Sequence, residues 1–218
     1  MRWLTRILSH SGRPKALGLN PELERRIRRS FDESAADNEH FPATIDPRIY
    51  HVQLLLEHLG DLTGKRALDV GCGKGRFARV LAERYPEARV AAMDISEAML
   101  AFVPRPITPV SGTMTALPFR DEAFDGVYAT ESLEHAVDIE RAVAEMCRVL
   151  KPGGRLAIID KNAEHWGKLK TPEWERWFHR AELEKLLTRH CRVVSSKFIS
   201  YWEDVEPDGM FLAWLAEK

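Results

Sequence analysis

The sequence predicts an α/β fold built on a doubly wound, mainly parallel sheet. Three observations carry that reading. From Gly64 onward apolar strands and helical patterns alternate. The run Leu68–Phe77, LDVGCGKGRF, is an apolar strand that breaks into three spaced glycines and then a helix. Nineteen residues after Gly75, a second strand ends in Asp94. Glycines at a strand-to-helix turn let the backbone approach a ligand without a Cβ in the way. An acidic side chain at the tip of the next strand can take the two hydroxyls of a ribose. Together they describe an adenosine-containing cofactor lying across the carboxyl ends of the strands.

The elements follow in order. Residues 1–12 show a short amphipathic pattern, with Trp3, Leu4, Ile7 and Leu8 on one side, broken at Gly12 and Pro14. Pro21 opens a helix to about Ala36, whose Leu23, Ile27 and Phe31 recur every four residues. Asn38 to Pro47 reads as loop. Ile49 to Leu59 is a helix with Val52, Leu55, Leu56 and Leu59 inward, closed by Gly60. Strands are predicted at 66–70, 89–94, 107–110, 124–129 and 155–160, and helices at 74–85, 96–102 and 138–150. The last helix has Asp138 as its N-cap and Gly153-Gly154 at its end. A Trp-rich stretch then leads to a helix near 180–189. Two closing strands follow, 192–201 and 210–215, joined by an acidic Pro/Gly turn that makes the last one antiparallel. The chain divides into a basic helical extension, 1–44, and a larger domain, 45–218.

Composition narrows the class. The 218 residues are 44% apolar and 30% charged, as in soluble globular proteins. No apolar run approaches the ~20 residues that span a bilayer. The start of the chain lacks the continuous apolar stretch and cleavage site of a signal peptide. Three cysteines, Cys72, Cys147 and Cys191, are odd in number and show no metal spacing. A cytoplasmic setting without disulfides is therefore expected. The net charge of −1 hides an asymmetry: residues 1–30 hold eight Lys/Arg and two Glu, a balance of +6, and the remainder stands at −7.

Four runs in this order, LDVGCGKGRF, AAMDIS, GTMTALPFRDEAFDGVYATESLEH and EMCRVLKPGGRLAIID, resemble the class I S-adenosylmethionine (SAM) dependent methyltransferases over roughly residues 45–217. Within that class the chain is most similar to the group of the ubiquinone and menaquinone biosynthesis methyltransferases. The resemblance implies a Rossmann-like seven-stranded sheet of order 3-2-1-4-5-7-6 with strand 7 antiparallel, and SAM as cofactor. It assigns Asp69, Gly71, Cys72 and Gly73 to the cofactor turn, Gly71 and Gly73 against the methionine part. Asp94 would hold the ribose hydroxyls, with Ile95 against the adenine. Thr113 and Met114 stand in a segment where the family usually has Gly-Asp-Ala. The usual Asp accepts a hydrogen bond from the adenine amino group; Thr113 can accept one but carries no charge. Thr130 opens the loop where a backbone carbonyl commonly meets the SAM ammonium.

Methyl transfer from a sulfonium is an in-line displacement in which positive charge is dispersed. The cofactor carries the reactivity, and the protein must align the reactants, exclude water and sometimes remove a proton. Glu131 and His135, at i, i+4 just after the fourth strand, can share one face of a short helical turn, and they are the predicted catalytic pair. His135 is the general-base candidate, with an ordinary pKa near ~6.5. Some relatives hold a divalent metal on a similar Glu-x-x-Glu-His; here that would use Glu131, Glu134 and His135, with His165 as a fourth ligand. The reading adopted is without metal. Trp166, Trp174, Trp177 and Phe178 form either a roof over the acceptor or ordinary packing, one of Trp174 and Trp177 being expected in the pocket. Residues 31–41 either close over the cofactor or simply end a helix. The expected function is methylation of a small molecule. RNA modification ranks second, because the basic arm interleaves only Trp3 and Phe31 as aromatics. A non-catalytic binding or scaffold protein ranks below both, since Gly71, Gly73 and Asp94 are intact.

Overall fold

The computed structural model describes Trp3 and residues 20–218. Apart from Trp3, the amphipathic pattern of residues 1–12 and its Gly12–Pro14 break lie outside the described residues.

Seven strands form one sheet: β1 (Arg66–Val70), β2 (Arg89–Asp94), β3 (Thr108–Ser111), β4 (Phe124–Thr130), β5 (Leu150–Lys161), β6 (Val193–Ile199) and β7 (Phe211–Glu217). Their order is β3-β2-β1-β4-β5-β7-β6, and β7 runs antiparallel to both its neighbours. Alternation along each strand assigns residues to the two faces. Leu68, Val70, Ala91 and Met93 pack with one core cluster, whose helices are α5 (Ile139–Val149) and α6 (Arg180–Leu187). Ala67, Val90 and Ala92 pack with the other, whose helices are α2 (Tyr50–Leu59) and α3 (Arg76–Arg84). Both faces are covered, so the central strands read as continuous apolar runs.

Local chemistry places the helix ends. α1 (Pro21–Ser34) starts with Pro21 in its first turn, and the Asn20 side chain accepts from the Leu23 N–H at 3.0 Å. In α5 the Asp138 side chain accepts from Arg141 N, as expected. The other end of α5 differs from the expectation. The chain passes at Leu150 directly into extended backbone, and Gly153-Gly154 lie inside β5, not at a helix cap. They fall where the register between β4 and β5 shifts, and Gly153, at φ 72°, donates to the carbonyl of Lys218. α4 (Glu97–Leu100) is shorter than the predicted 96–102. Among the described residues no helix is long and apolar enough to cross a membrane.

Candidate cofactor and acceptor site

The parallel strands β1, β2, β4 and β5 all end on one edge of the sheet, and a cavity of about 500 Å³ opens there. Its floor is the turn after β1. Three successive glycines take positive φ: Gly71 at 73°, Gly73 at 52° and Gly75 at 79°. The reasons differ. A Cβ on Gly71 would come within 2.5 Å of the Ser132 Cβ, so this glycine is required by the protein's own packing. A Cβ on Gly73 would meet no protein atom within 4 Å. Gly73 lines the cavity, so its missing side chain leaves that space open.

Asp94 ends β2 at the cavity wall, almost fully buried. Its Oδ2 accepts from Gly73 N at 2.7 Å and its Oδ1 from Ser96 N at 2.8 Å. Two backbone bonds fix the carboxylate and leave lone pairs on both oxygens. Burial pushes its pKa up, while the Ser96 and Gly73 N–H groups pull it down. Cys72, Ile95, Thr113, Met114 and Thr130 also line the cavity. Asp69 does not. It alternates with Leu68 and Val70, so it faces the α2/α3 layer, opposite Tyr128 in the β1–β4 register. Burial there raises its pKa to about 7. Its assignment to the cofactor turn is therefore corrected to a buried position beneath it.

The N-terminal segment forms the roof. Glu24, Ile27, Phe31 and Ser34 of α1 and His40 and Phe41 of the next loop all line the cavity. Buried Lys74 donates to Asn38 Oδ1 at 2.7 Å and to the Asp37 carbonyl, tying that loop to the glycine turn. Ser96 Oγ donates to Asp32 at 2.6 Å, and Arg26 pairs with Glu173 across the mouth. Thr113 Oγ1 donates to Glu24 Oε1 at 2.9 Å. A carboxylate thus stands beside the uncharged Thr113 after all, supplied from α1, some 90 residues earlier in the chain. Glu24 was not legible as a site residue because no local motif marks it.

The predicted catalytic pair separates. Glu131, in the left-handed region at φ 51°, pairs with Arg76 at 2.9 Å. His135 ends a single 3-10 turn, Leu133–His135, and lies between two other carboxylates, 3.5 Å from Glu134 and 3.9 Å from Glu175. Both residues line the cavity, but on different partners. Burial lowers the His135 pKa to about 4, with Glu175 opposing and Lys161 reinforcing the shift. The ring is neutral near neutrality, well below the ordinary value near 6.5 expected from sequence.

Around His135 stands a buried charge cluster that the sequence did not announce as one. Lys161 Nζ donates to Glu134 Oε1 at 2.5 Å and to Glu175 Oε1 at 3.3 Å, and the Glu134 N–H donates to Asp160. Burial pushes the Glu134 and Asp160 pKa values up, and the three carboxylates keep Lys161 charged against its own burial. Glu134, His135 and Glu175 each offer a ligand atom within 4.8 Å of the others. The Lys161 ammonium already lies on two of those carboxylates and supplies a cation beside them. Glu131 and His165 are outside the group; His165 Nδ1 instead meets Lys168 Nζ at 3.0 Å. Among the described residues, buried His135 Nδ1 and Trp174 Nε1 have no hydrogen-bond partner, whereas the Glu134 carboxyl bonds with that of Asp160. His135, Trp174 and Glu134 all line the cavity. Trp177 does not; it is 7% exposed and donates to Glu175 Oε1 at 2.6 Å. Phe178 is likewise buried, whereas Trp166 is half exposed, edge-on to Trp177.

Comparisons with known proteins agree with this architecture. Residues 68–158 match the family described as "Methyltransferase domain". The malonyl-[acyl-carrier protein] O-methyltransferase of Methylococcus capsulatus is 40% identical over 110 residues, 47% of this chain and 39% of that protein. The 2-phytyl-1,4-naphtoquinone methyltransferase of Thermosynechococcus vestitus is 33% identical over 139 residues, 60% of this chain and 61% of that protein. The chain thus spans only part of the length of these curated relatives. The geranyl diphosphate C-methyltransferase of Streptomyces coelicolor, solved with Mg²⁺, geranyl diphosphate and S-adenosyl-L-homocysteine, superposes with a TM-score of 0.66 at 17% identity. That superposition covers 94% of this chain and 99% of the neighbour, and it shows the shared fold. Residues 68–158 are thus similar to a methyltransferase domain. The chain as a whole resembles class I SAM-dependent methyltransferases, the quinone-methylating group among them.

Proposed function

We propose that the protein is a SAM-dependent methyltransferase acting on a small molecule, in a cytoplasmic setting. The family match and the relatives that methylate a quinone and a carrier-borne malonyl group support this reading. The observation that carries it is the two-sided cavity: a fixed carboxylate and open glycine turn on one side, unpartnered buried polar atoms on the other.

Bound SAM supplies the activated methyl group. Asp94 holds the ribose hydroxyls, the Gly71–Gly73 turn and Cys72 take the methionine part, and Ile95 and Met114 flank the adenine. Thr113 and Glu24 together accept from the adenine amino group. Thr130 offers its carbonyl to the cofactor's ammonium. The acceptor lies toward Phe31, Trp174 and the Glu134–His135–Glu175 group. There, neutral His135 accepts the acceptor's proton, with the Glu175 carboxylate nearby to favour the imidazolium that forms; Glu131 holds Arg76 at the wall. The segment 1–44 acts as an extension whose helix closes over both ligands.

Incubation with methyl-labelled SAM and cell extract, separated into small-molecule and RNA fractions, tests the reading. Label is expected in the small-molecule fraction. Label only in RNA would favour the basic arm as a substrate handle, and tight cofactor binding without transfer would favour a scaffold. The adenine assignment has its own test. Glu24→Ala should weaken S-adenosylhomocysteine binding by about 1–3 kcal/mol, yet leave the hypoxanthine analogue, which lacks the amino group, nearly unaffected. Equal losses for both ligands would remove Glu24 from adenine recognition.

A further inference from the structure

The opposite edge of the sheet, where the parallel strands begin, holds a second cleft of about 370 Å³. Its charged lining is Lys65 and Arg66 at the start of β1, Arg89 at the start of β2, Arg120 and Asp125 around the start of β4, and Lys151 in β5. Five cations face one carboxylate, a balance of +4. That carboxylate is already engaged: Asp125 Oδ1 accepts from Lys151 Nζ at 2.6 Å and Oδ2 from Arg66 N at 3.0 Å. Burial works against its charge, but these bonds hold its pKa below the usual carboxylate range. Among the described residues, no side-chain hydrogen bond or ion pair holds Lys65, Arg66, Arg89 or Arg120.

Several arginines elsewhere on the surface pair with carboxylates. Arg48 meets Asp46, Arg148 meets Asp121 and Glu145, Arg189 meets Glu140, and Arg192 meets Glu217. The protein as a whole is slightly acidic, so carboxylates are not scarce. Gathering four cations, none hydrogen-bonded through its side chain to a carboxylate among the described residues, from three different strand starts into one concavity is unfavourable by mutual repulsion. A concave lining dominated by one sign also focuses the field and concentrates an oppositely charged ligand. Guanidinium forks match phosphate oxygens two at a time, and lysines add point charge. The volume is roughly ten times the ~30 Å³ share of a water molecule, which leaves room for linked phosphates and not merely one. We propose that this cleft is a binding site for an anion carrying two or more linked phosphates. It is separated from the cofactor cavity by the length of the strands, about 15–20 Å.

Titration calorimetry with inorganic tripolyphosphate, at ionic strength held constant with chloride, tests this. The full chain should bind one equivalent saturably at sub-millimolar concentration. Arg89→Gln/Arg120→Gln should weaken that binding at least tenfold. The same variant should bind S-adenosylhomocysteine within twofold of the wild type, which shows that the fold is intact and keeps this test separate from the cofactor assignment. Absence of saturable binding, or an unchanged affinity in the double variant, overturns the proposal. An RNA oligomer that binds through these arginines where tripolyphosphate does not would overturn it too, and would make the cleft a strand-binding groove.

Discussion

The cavity has two halves built on different principles. On the β3-β2-β1-β4 side the cavity-lining Asp94 and Lys74 are bonded before any ligand arrives. Both oxygens of Asp94 already accept backbone N–H groups, and Lys74 is bonded to Asp37 and Asn38. On the β5-β7-β6 side Glu134 and Glu175 share Lys161, and among the described residues His135 Nδ1 and Trp174 Nε1 are buried without partners. A satisfied, rigid half suits a ligand that never changes. A half with polar atoms left open suits recognition of one acceptor, because an unmatched acceptor leaves those atoms buried and unpaired.

The largest test of this contrast uses the two tryptophans. Trp177 is interior, and Trp177→Ala should cost about 3–5 kcal/mol of stability in denaturant unfolding. Trp174 lines the cavity, so Trp174→Ala should leave stability nearly unchanged and instead raise the acceptor KM or lower kcat. If both variants melt early with unaltered kinetics, the acceptor half is core and not recognition surface.

Next in size is a pH effect on the histidine beneath that half. His51 is fully buried, stacks on Tyr201 at 4.6 Å, and burial lowers its pKa to about 4. An unfolded histidine titrates near ~6.5. The unfolded state thus binds the proton first, and the stability His51 contributes above pH ~6.5 is lost as the pH falls toward 4, by on the order of 3 kcal/mol. Asp69, raised to about 7, acts in the opposite sense over this window, but equally in both proteins compared. Melting profiles of His51→Phe should therefore fall less steeply than the wild type from pH 6.5 to 4. Parallel profiles would mean that the ring is solvated or paired.

The smallest expected effect sharpens the charge cluster. Because Lys161 supplies the cation there, EDTA should change turnover by less than twofold. Loss of activity on chelation, with return on adding Mg²⁺, would place a metal among Glu134, His135 and Glu175 and displace the lysine.

The same contrast explains what the sequence disclosed. The strand ends were legible from local alternation and the sheet order from the resemblance to a known family, and Gly71, Gly73 and Asp94 were to be expected at one cavity because one turn and one strand tip lie within about 25 residues. Glu24, Lys161 and Glu175 were not, because they converge from α1, β5 and the loop before α6, and only the folded chain brings them together. Glu131 and His135 misled for a related reason. Their spacing fits a helical turn, but Glu131 takes positive φ and the turn begins only at Leu133. Asp69 misled because its neighbours in sequence alternate between faces. The two tryptophans, three residues apart and indistinguishable by type, were divided between cavity and core by packing alone.

The central claim is that SAM occupies the carboxyl-edge cavity with Asp94 on its ribose. Titration calorimetry of S-adenosylhomocysteine into the wild type and Asp94→Ala tests it most directly. The wild type should bind one equivalent, and the variant, folded by circular dichroism, should lose about 1.5–3 kcal/mol of binding free energy with the charge-assisted contact. Unchanged affinity in the folded variant would contradict the claim and move the cofactor elsewhere.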